Sequence, residues 1–193
     1  MGHSESVVNY ARYVVQDLYQ SVSGFIRSVQ KQSGKTVDTT YGELTFDGAQ
    51  QLLDYLKLDA TDVFIDVGSG VGKLCVHTAL VTPALVFGVE VVRERFDLAQ
   101  MVLQDPRLDR VRDRVRFINA DATKVKVDAA TVIYMCSTCF PGTLVDDIVA
   151  QAQRGTRIVS AAPLSTLQQY MENVLTLEAT WSKSVPFYVY RKP

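Results

Sequence analysis

At 193 residues with 47% hydrophobic content, the chain carries enough apolar side chains for one good core and matches the usual size of one domain. Lysine and arginine total 20 against 21 aspartates and glutamates, a formal charge of -1, which excludes a global field drawing the protein onto nucleic acid or an anionic membrane. No uninterrupted apolar run approaches a bilayer crossing, and the opening "MGHSES" lacks the charged-then-apolar order of a secretory signal, so an intracellular protein, cytoplasmic or nuclear, is expected.

In chain order, Val7, Ala11, Val14, Leu18, Val22, Phe25 and Val29 recur at steps of three and four, the spacing of one long amphipathic helix ending near Gly34. The turn-rich "SGKTVDTTYGELTF" that follows reads as an ordered loop. Asp47 is placed to cap a second helix carrying Ala49, Leu52, Leu53 and Leu56. Residues 1–58 thus form a helical cover and loop, and 59–193 the core of the same single domain.

From Asp62 onward, short β-branched runs alternate with helical ones: "VFIDV", "GKLCVHTALV", "ALVFGVEV", "RERFDLAQMVLQ", "VRFINAD", "TVIYMCS", "TLVDDIVAQA" and "TRIVSAA". Such alternation closes as a parallel sheet with helices on both faces. The last two runs, "VLTLEATWS" and "PFYVYRK", have only a short turn between them and predict a terminal antiparallel hairpin. The expected fold is α/β, a Rossmann-like doubly wound seven-stranded sheet.

The three cysteines, Cys75, Cys136 and Cys139, are an odd number, which argues for a reducing compartment rather than a disulfide framework. "CSTC" lacks the further ligands a tetrahedral zinc site needs, and no metal is expected.

"VFIDVGSGVGKL" carries the chemistry. A glycine turn after a parallel strand lets backbone approach a nucleotide-like ligand, beside the amides of the next helix. A phosphate-binding Walker loop would need glycine where Val67 stands and a hydroxyl where Leu74 follows Lys73. The dinucleotide fingerprint wants two residues before its third glycine, and "GSGVG" has one. Asp66, just before the loop, repels pyrophosphate and attracts an ammonium.

S-adenosylmethionine joins an α-amino acid to adenosine without phosphate. Glu90, ending the second strand, is placed to accept from the ribose hydroxyls, and Asp121, after the third, to take the adenine amino group. Singly, Glu90 or Asp121 reads equally well as an ordinary loop acid. Three acids at the carboxyl ends of three parallel strands share the crevice where open sheets bind ligands, and together they favour this donor.

The order "DVGSGVGK", "GVE", an acid after the third strand and a terminal hairpin resembles the seven-strand class I methyltransferases. Within them, "TYGELTFDGAQQLLDYL" ahead of "DVFIDVGSGVGKL" is similar to the Dot-one (disruptor of telomeric silencing) group of histone-lysine methyltransferases, over roughly residues 38–193. The resemblance implies that Tyr41, Gly42, Glu43 and Leu44 fold over the methionine part of the donor. Asp66, Gly68, Ser69, Gly70, Gly72 and Lys73 would lie beneath it, and Glu90, Asp121 and Ala122 would complete the adenosine contacts.

The resemblance further places Cys136 and Ser137 in a turn where the family has asparagines, beside the channel for the target lysine. Phe140 keeps the aromatic end of that turn, and Phe187 and Tyr188 stand for a tyrosine pair on the last strand. Phe140, Trp181, Phe187, Tyr188 and Tyr190 are candidates for an apolar channel that disfavours a charged amine. Phe187 and Tyr188 are neighbours on a strand, so only one of them can face it. Tyr41, Ser137, Phe140, Phe187 and Tyr188 are thus the candidate catalytic residues.

Histone enzymes of this group grip nucleosomal DNA through basic segments. Arg107, Arg110, Arg112, Arg114 and Arg116 are interleaved here with Asp105, Asp109 and Asp113, which reads as a solvated helix end and loop. Strong nucleic-acid binding is not expected. The anticipated acceptor is an accessible lysine on a non-nucleosomal protein or a broader protein set. RNA or a small metabolite as acceptor, and a catalytically silent donor-binding subunit, are the alternatives.

Overall fold

The computed structural model describes residues 4–32, 42–136 and 140–193, with backbone alone at 21 and 23–32. Among the described residues, six α-helices, α1 (Glu5–Gln32), α2 (Phe46–Leu56), α3 (Lys73–Val81), α4 (Arg93–Leu103), α5 (Asp109–Arg112) and α6 (Gly142–Gln151), surround one seven-stranded sheet. Its strands are β1 (Val63–Val67), β2 (Leu85–Glu90), β3 (Val115–Asn119), β4 (Val132–Met135), β5 (Arg157–Ser160), β6 (Met171–Ala179) and β7 (Ser182–Arg191). The spatial order is β3-β2-β1-β4-β5-β7-β6. The first five are parallel, and β7 runs antiparallel to both β5 and β6.

The expected alternation and closing hairpin are therefore present, with β6 starting three residues before the run "VLTLEATWS" and β7 four residues before "PFYVYRK". Trp181 falls in the hairpin turn, outside both strands. Strand order reverses at β1, whose neighbours are β2 and β4, and this opens a crevice at the carboxyl ends of the strands.

Strand alternation sorts the core into two layers. Phe64, Val86, Val132, Tyr134, Val159 and Phe187 face α1 to α4. Ile65, Val67, Val89, Ile133, Met135 and Tyr190 face α6 and the turn at 165–170. Full burial of one such side chain contributes about 1.5–3 kcal/mol.

Helix α1 buries Ala11, Val14, Val15, Tyr19 and Val22, close to the face its sequence period predicts. Phe25 and Val29 lie outside the described side chains. Polar contacts fix the position of α1: the Tyr19 hydroxyl donates to the Val71 carbonyl in the glycine loop at 3.2 Å, and Arg12 pairs with Asp47.

That pairing corrects the expected cap. The N-cap of α2 is Thr45, whose Oγ1 accepts from Gly48 N at 3.2 Å, and Asp47 lies inside the first turn. Thr45 has the extended backbone that a cap requires, whereas Asp47 is already helical.

The arginine cluster is built into the fold. Arg107 pairs with Asp105 and with Asp17 of α1, both at 2.8 Å, and the Arg110 guanidinium stacks over Tyr10, 4.4 Å from the ring centre. Arg112 donates to the Leu103, Gln104 and Asp105 carbonyls, and Arg114 to those of Ala79, Thr82 and Ala84. Among the described residues, Arg116, on β3, has no contact of this kind. Arg107 and Arg110 thereby dock α1, while Asp109, Arg110, Asp113 and Arg116 remain exposed, as expected of a solvated segment.

Candidate functional site

The crevice holds a cavity of about 1030 Å³ lined by residues from the cover loop, the glycine loop and the ends of β2, β3 and β4. Gly68, Gly70 and Gly72 take φ values of 79°, 56° and 81°, the left-handed region that a side chain rarely occupies. Gly68 N and Ser69 N donate to the Val89 carbonyl at 2.8 and 3.0 Å, and Gly72 N to the Ser69 carbonyl at 2.9 Å. Gly70 N donates to Glu90 Oε2 at 2.8 Å. These four amides of the turn are consumed internally, so they make no cradle for phosphate, whose binding needs amides aimed at the ligand.

The acids take up the opposite role. Asp66 is buried in the cavity floor. Its nearest donor is the Cys75 thiol, 3.7 Å from Oδ2. Burial, opposed by that thiol and reinforced by the charges of Glu90 and Glu43, pushes the carboxyl up to about 8. An incoming cation would reverse the penalty.

Glu90 accepts from Gly70 N through Oε2 and from Val92 N through Oε1, each at 2.8 Å. Each carboxylate oxygen retains a second lone pair. Asp121 uses Oδ1 for the Thr123 amide and hydroxyl, both 2.9 Å away, while Oδ2 has no donor among the described residues. Asp66, Glu90 and Asp121, with Ala122, all line the one cavity.

Gly42, Glu43 and Leu44 form its roof. They are held by the hairpin: Leu44 bridges Ala179, Thr180 N donates to the Glu43 carbonyl at 2.8 Å, and Thr45 N to the Glu178 carbonyl at 3.0 Å. Lys73, at the start of α3, reaches back to Glu43.

Two aromatic rings pack against the glycine loop and the cover loop. A Cβ on Gly68 would come within 2.8 Å of the Phe140 ring, and one on Gly42 within 2.4 Å of the Trp181 ring. Both rings line the cavity, and Trp181 remains 46% exposed.

The other proposed channel residues lie elsewhere, a correction to the channel drawn from sequence. Phe187 is fully buried and stacks behind Tyr134, with ring centres 5.8 Å apart. Tyr188 and Tyr190 face the opposite layer, where the Tyr190 hydroxyl accepts from Leu164 N at 2.8 Å. Phe187 shares the face of Tyr134 and Tyr188 takes the other, and with β5 between β7 and β4 neither lines the cavity. Tyr41 and Ser137 lie outside the described residues.

The sequence reading passed over Tyr134, Phe46 and His77, which also line the cavity. His77 stacks on Phe46 with ring centres 4.0 Å apart and hydrogen-bonds Gln50 at 2.9 Å. The available signal for Tyr134 was its place on the fourth strand, two residues before Cys136 and so on the same face. Ser69 Oγ is buried in the cavity wall without a hydrogen-bond partner among the described residues, which fits a site completed by a polar ligand. Among the described residues no group of His, Cys, Asp or Glu is arranged to hold a metal, and no helix is long and apolar enough to cross a membrane.

Residues 26–183 match the family model of the histone methylation protein DOT1. The chain is 35% identical over 71 residues to an H3 lysine-79 specific histone-lysine N-methyltransferase of Mycosarcoma maydis, covering 37% of this chain and 9% of that protein. It is 25% identical over 144 residues to the Caenorhabditis elegans protein of the same description, covering 66% and 15%. The matched stretch is thus a small part of either relative's length.

Among solved structures, an RNA methyltransferase from Salinibacter ruber with S-adenosyl-L-homocysteine bound superposes with a TM-score of 0.61 at 22% identity, covering 75% of this chain and 90% of that one. A methyltransferase from Geobacter sulfurreducens, also in complex with S-adenosyl-L-homocysteine, gives 0.53 at 20% identity, covering 78% and 57%. These likenesses carry the fold. Together with the family match they establish that the chain belongs to the DOT1 histone methylation family and has the fold of the class I S-adenosylmethionine-dependent methyltransferases.

Proposed function

We propose that this protein is an intracellular S-adenosylmethionine-dependent protein-lysine N-methyltransferase whose acceptors extend beyond the nucleosome. The observation that carries the reading is the buried Asp66 carboxyl beneath a glycine loop whose amides are turned inward. A site of that polarity repels phosphate and accepts an α-ammonium. Asp66 holds that ammonium, the spare lone pairs of Glu90 take the ribose hydroxyls, and Asp121 Oδ2 takes the adenine amino group. The orphaned Ser69 hydroxyl is satisfied by the same ligand.

When bound, the donor supplies an electrophilic methyl group for in-line displacement by a neutral nucleophile. Across the sheet the three acids run from β3 through β2 to β1, so the donor's reactive end points toward β4. Phe140 and Trp181 flank that end. Their rings strip water from an entering lysine and favour its neutral form. The proton is lost to water before the amine enters, and no side chain is assigned as base.

Family kinship supports lysine as the acceptor. The engagement of four of the five clustered arginines with carbonyls, carboxylates or a ring supports the wider protein range, because these cations are already committed away from DNA phosphates.

The test is transfer from tritium-labelled donor to free histones, intact nucleosomes and whole-lysate protein, with the labelled atom located by mass spectrometry. Label on lysine Nζ of free proteins, no stronger on nucleosomes, is expected. Label confined to RNA or small molecules, or none despite donor binding, would overturn the reading.

A further inference from the structure

Tyr134 is a buried hydroxyl-bearing residue in the cavity wall that the mechanism above does not use. Its position is fixed twice over. In the sheet it is the β4 partner of Asp66 on β1. Its ring is held between Phe64 and Phe187, with centres 6.4 and 5.8 Å away. The phenol is hydrogen-bonded to the Cys136 thiol, two residues along and on the same face. Burial, and then the neighbouring charges of Cys136, Asp66 and Glu43, push its pKa upward, so the group stays a neutral hydroxyl throughout the working range.

We propose that the Tyr134 hydroxyl orients the methyl acceptor, with Cys136 as the positioning residue that sets the rotation of its O–H bond. This rests on the lysine reading above and names the group that aims the amine. An O–H donated to Cys136 Sγ leaves the phenol oxygen lone pairs for an N–H of the neutral lysine. With one N–H so engaged, the nitrogen lone pair has a restricted direction. The new N–C bond forms as the methyl carbon's bond to sulfur breaks, the electron pair stays on sulfur, and the extra proton on nitrogen leaves to water. Beside the Phe140 and Trp181 rings that line the same cavity, this hydroxyl supplies a polar contact. Phe187, remote from the cavity, acts through Tyr134 by supporting its ring.

The test compares wild type with Tyr134→Phe, which keeps the ring stack, and with Cys136→Ala. The acceptor is the most strongly labelled protein of the transfer assay. For Tyr134→Phe we expect sinefungin affinity by calorimetry within about twofold of wild type, an unchanged thermal midpoint, KM for the acceptor within about threefold, and kcat lowered about 10- to 100-fold, the scale of a misaimed nucleophile. Cys136→Ala should lower kcat about threefold with the same unchanged binding. Wild-type kcat in Tyr134→Phe, or a loss that tracks sinefungin affinity, overturns the inference while leaving the lysine reading intact. Failure of the wild type to label any protein lysine overturns both.

Discussion

The Lys73 ammonium lies 3.4 Å from the Glu43 carboxylate, each side chain only about a fifth exposed. A lysine directly after a glycine turn ordinarily invites a reading as a phosphate ligand. Here it spans the cavity from the start of α3 to the cover loop, which the β6–β7 turn holds from the other side. The glycine loop, cover loop and hairpin are thus linked in series along the cavity.

Breaking the Lys73–Glu43 link should loosen the roof without unfolding the protein. A partly exposed pair is worth about 1 kcal/mol after solvent screening, so Lys73→Ala should weaken sinefungin binding by about three- to tenfold. The thermal midpoint should move by no more than about 3 °C, as expected for so small a term. Calorimetry on Lys73→Ala, Glu43→Gln and the double variant gives the coupling. Additive losses would show that the two side chains do not act through each other.

The polar floor of the site was more legible in the sequence than its walls. Asp66, Glu90 and Asp121 fall at strand ends, and strand ends follow from β-branched runs that local patterning reveals. Phe187 and Tyr188 were misjudged because their position depends on which strands are neighbours, a long-range fact with no local signal. Tyr134 reads as one more apolar strand residue until the β1–β4 register sets it beside Asp66. Thr45 and Asp47 are both acceptable caps by residue type, and what separates them is where the helical backbone begins, with Asp47 left to pair with Arg12 on a distant helix.

Asp66 makes two linked pH predictions. Its carboxyl is raised by burial from 3.8 to about 8, so between these values the unfolded chain has lost the proton while the folded one keeps it. Stability contributed here is therefore full below about pH 4 and is lost as pH rises to about 8. Asp66→Asn should match wild type in acid and exceed it progressively toward pH 8, measured by urea unfolding at a series of pH values. Binding an ammonium favours the ionised carboxyl, so sinefungin uptake at pH 6.5 should release close to one proton. Calorimetry in buffers of different ionisation enthalpy reads that number, and zero release would remove Asp66 from contact with the ligand cation.

Glu90 is a fastener of the loop as well as a proposed ligand group. Its two oxygens hold the amides of Gly70 and Val92, leaving one lone pair on each for a ribose hydroxyl. Glu90→Gln replaces one of those acceptors with a donor that faces a backbone N–H. It should therefore cost stability, about 1–3 kcal/mol for the buried amide left unpaired, and also donor affinity, at least tenfold. Glu90→Ala should reduce affinity further. Denaturant midpoints and sinefungin titrations separate the two effects, and retained affinity with reduced stability would leave the carboxylate a structural part only.

Gly48 tests how the roof is attached to the sheet. It sits inside α2, where exchange for alanine would normally add about 1 kcal/mol of helix stability. A Cβ there, however, would lie 2.2 Å from the Glu178 carbonyl oxygen, backbone on both sides of the contact. Relief requires α2 to lift from β6, which would also pull Thr45 N from the Glu178 carbonyl. Overpacking of this kind costs about 1–3 kcal/mol, enough to reverse the propensity gain. Gly142→Ala is the control, because nothing lies within 4 Å of the added methyl group, and its stability should stay within about 0.5 kcal/mol of wild type. Gly48→Ala should lower the urea midpoint and weaken sinefungin binding together. A stabilised variant with normal binding would mean that the α2–β6 contact does not set the height of the roof.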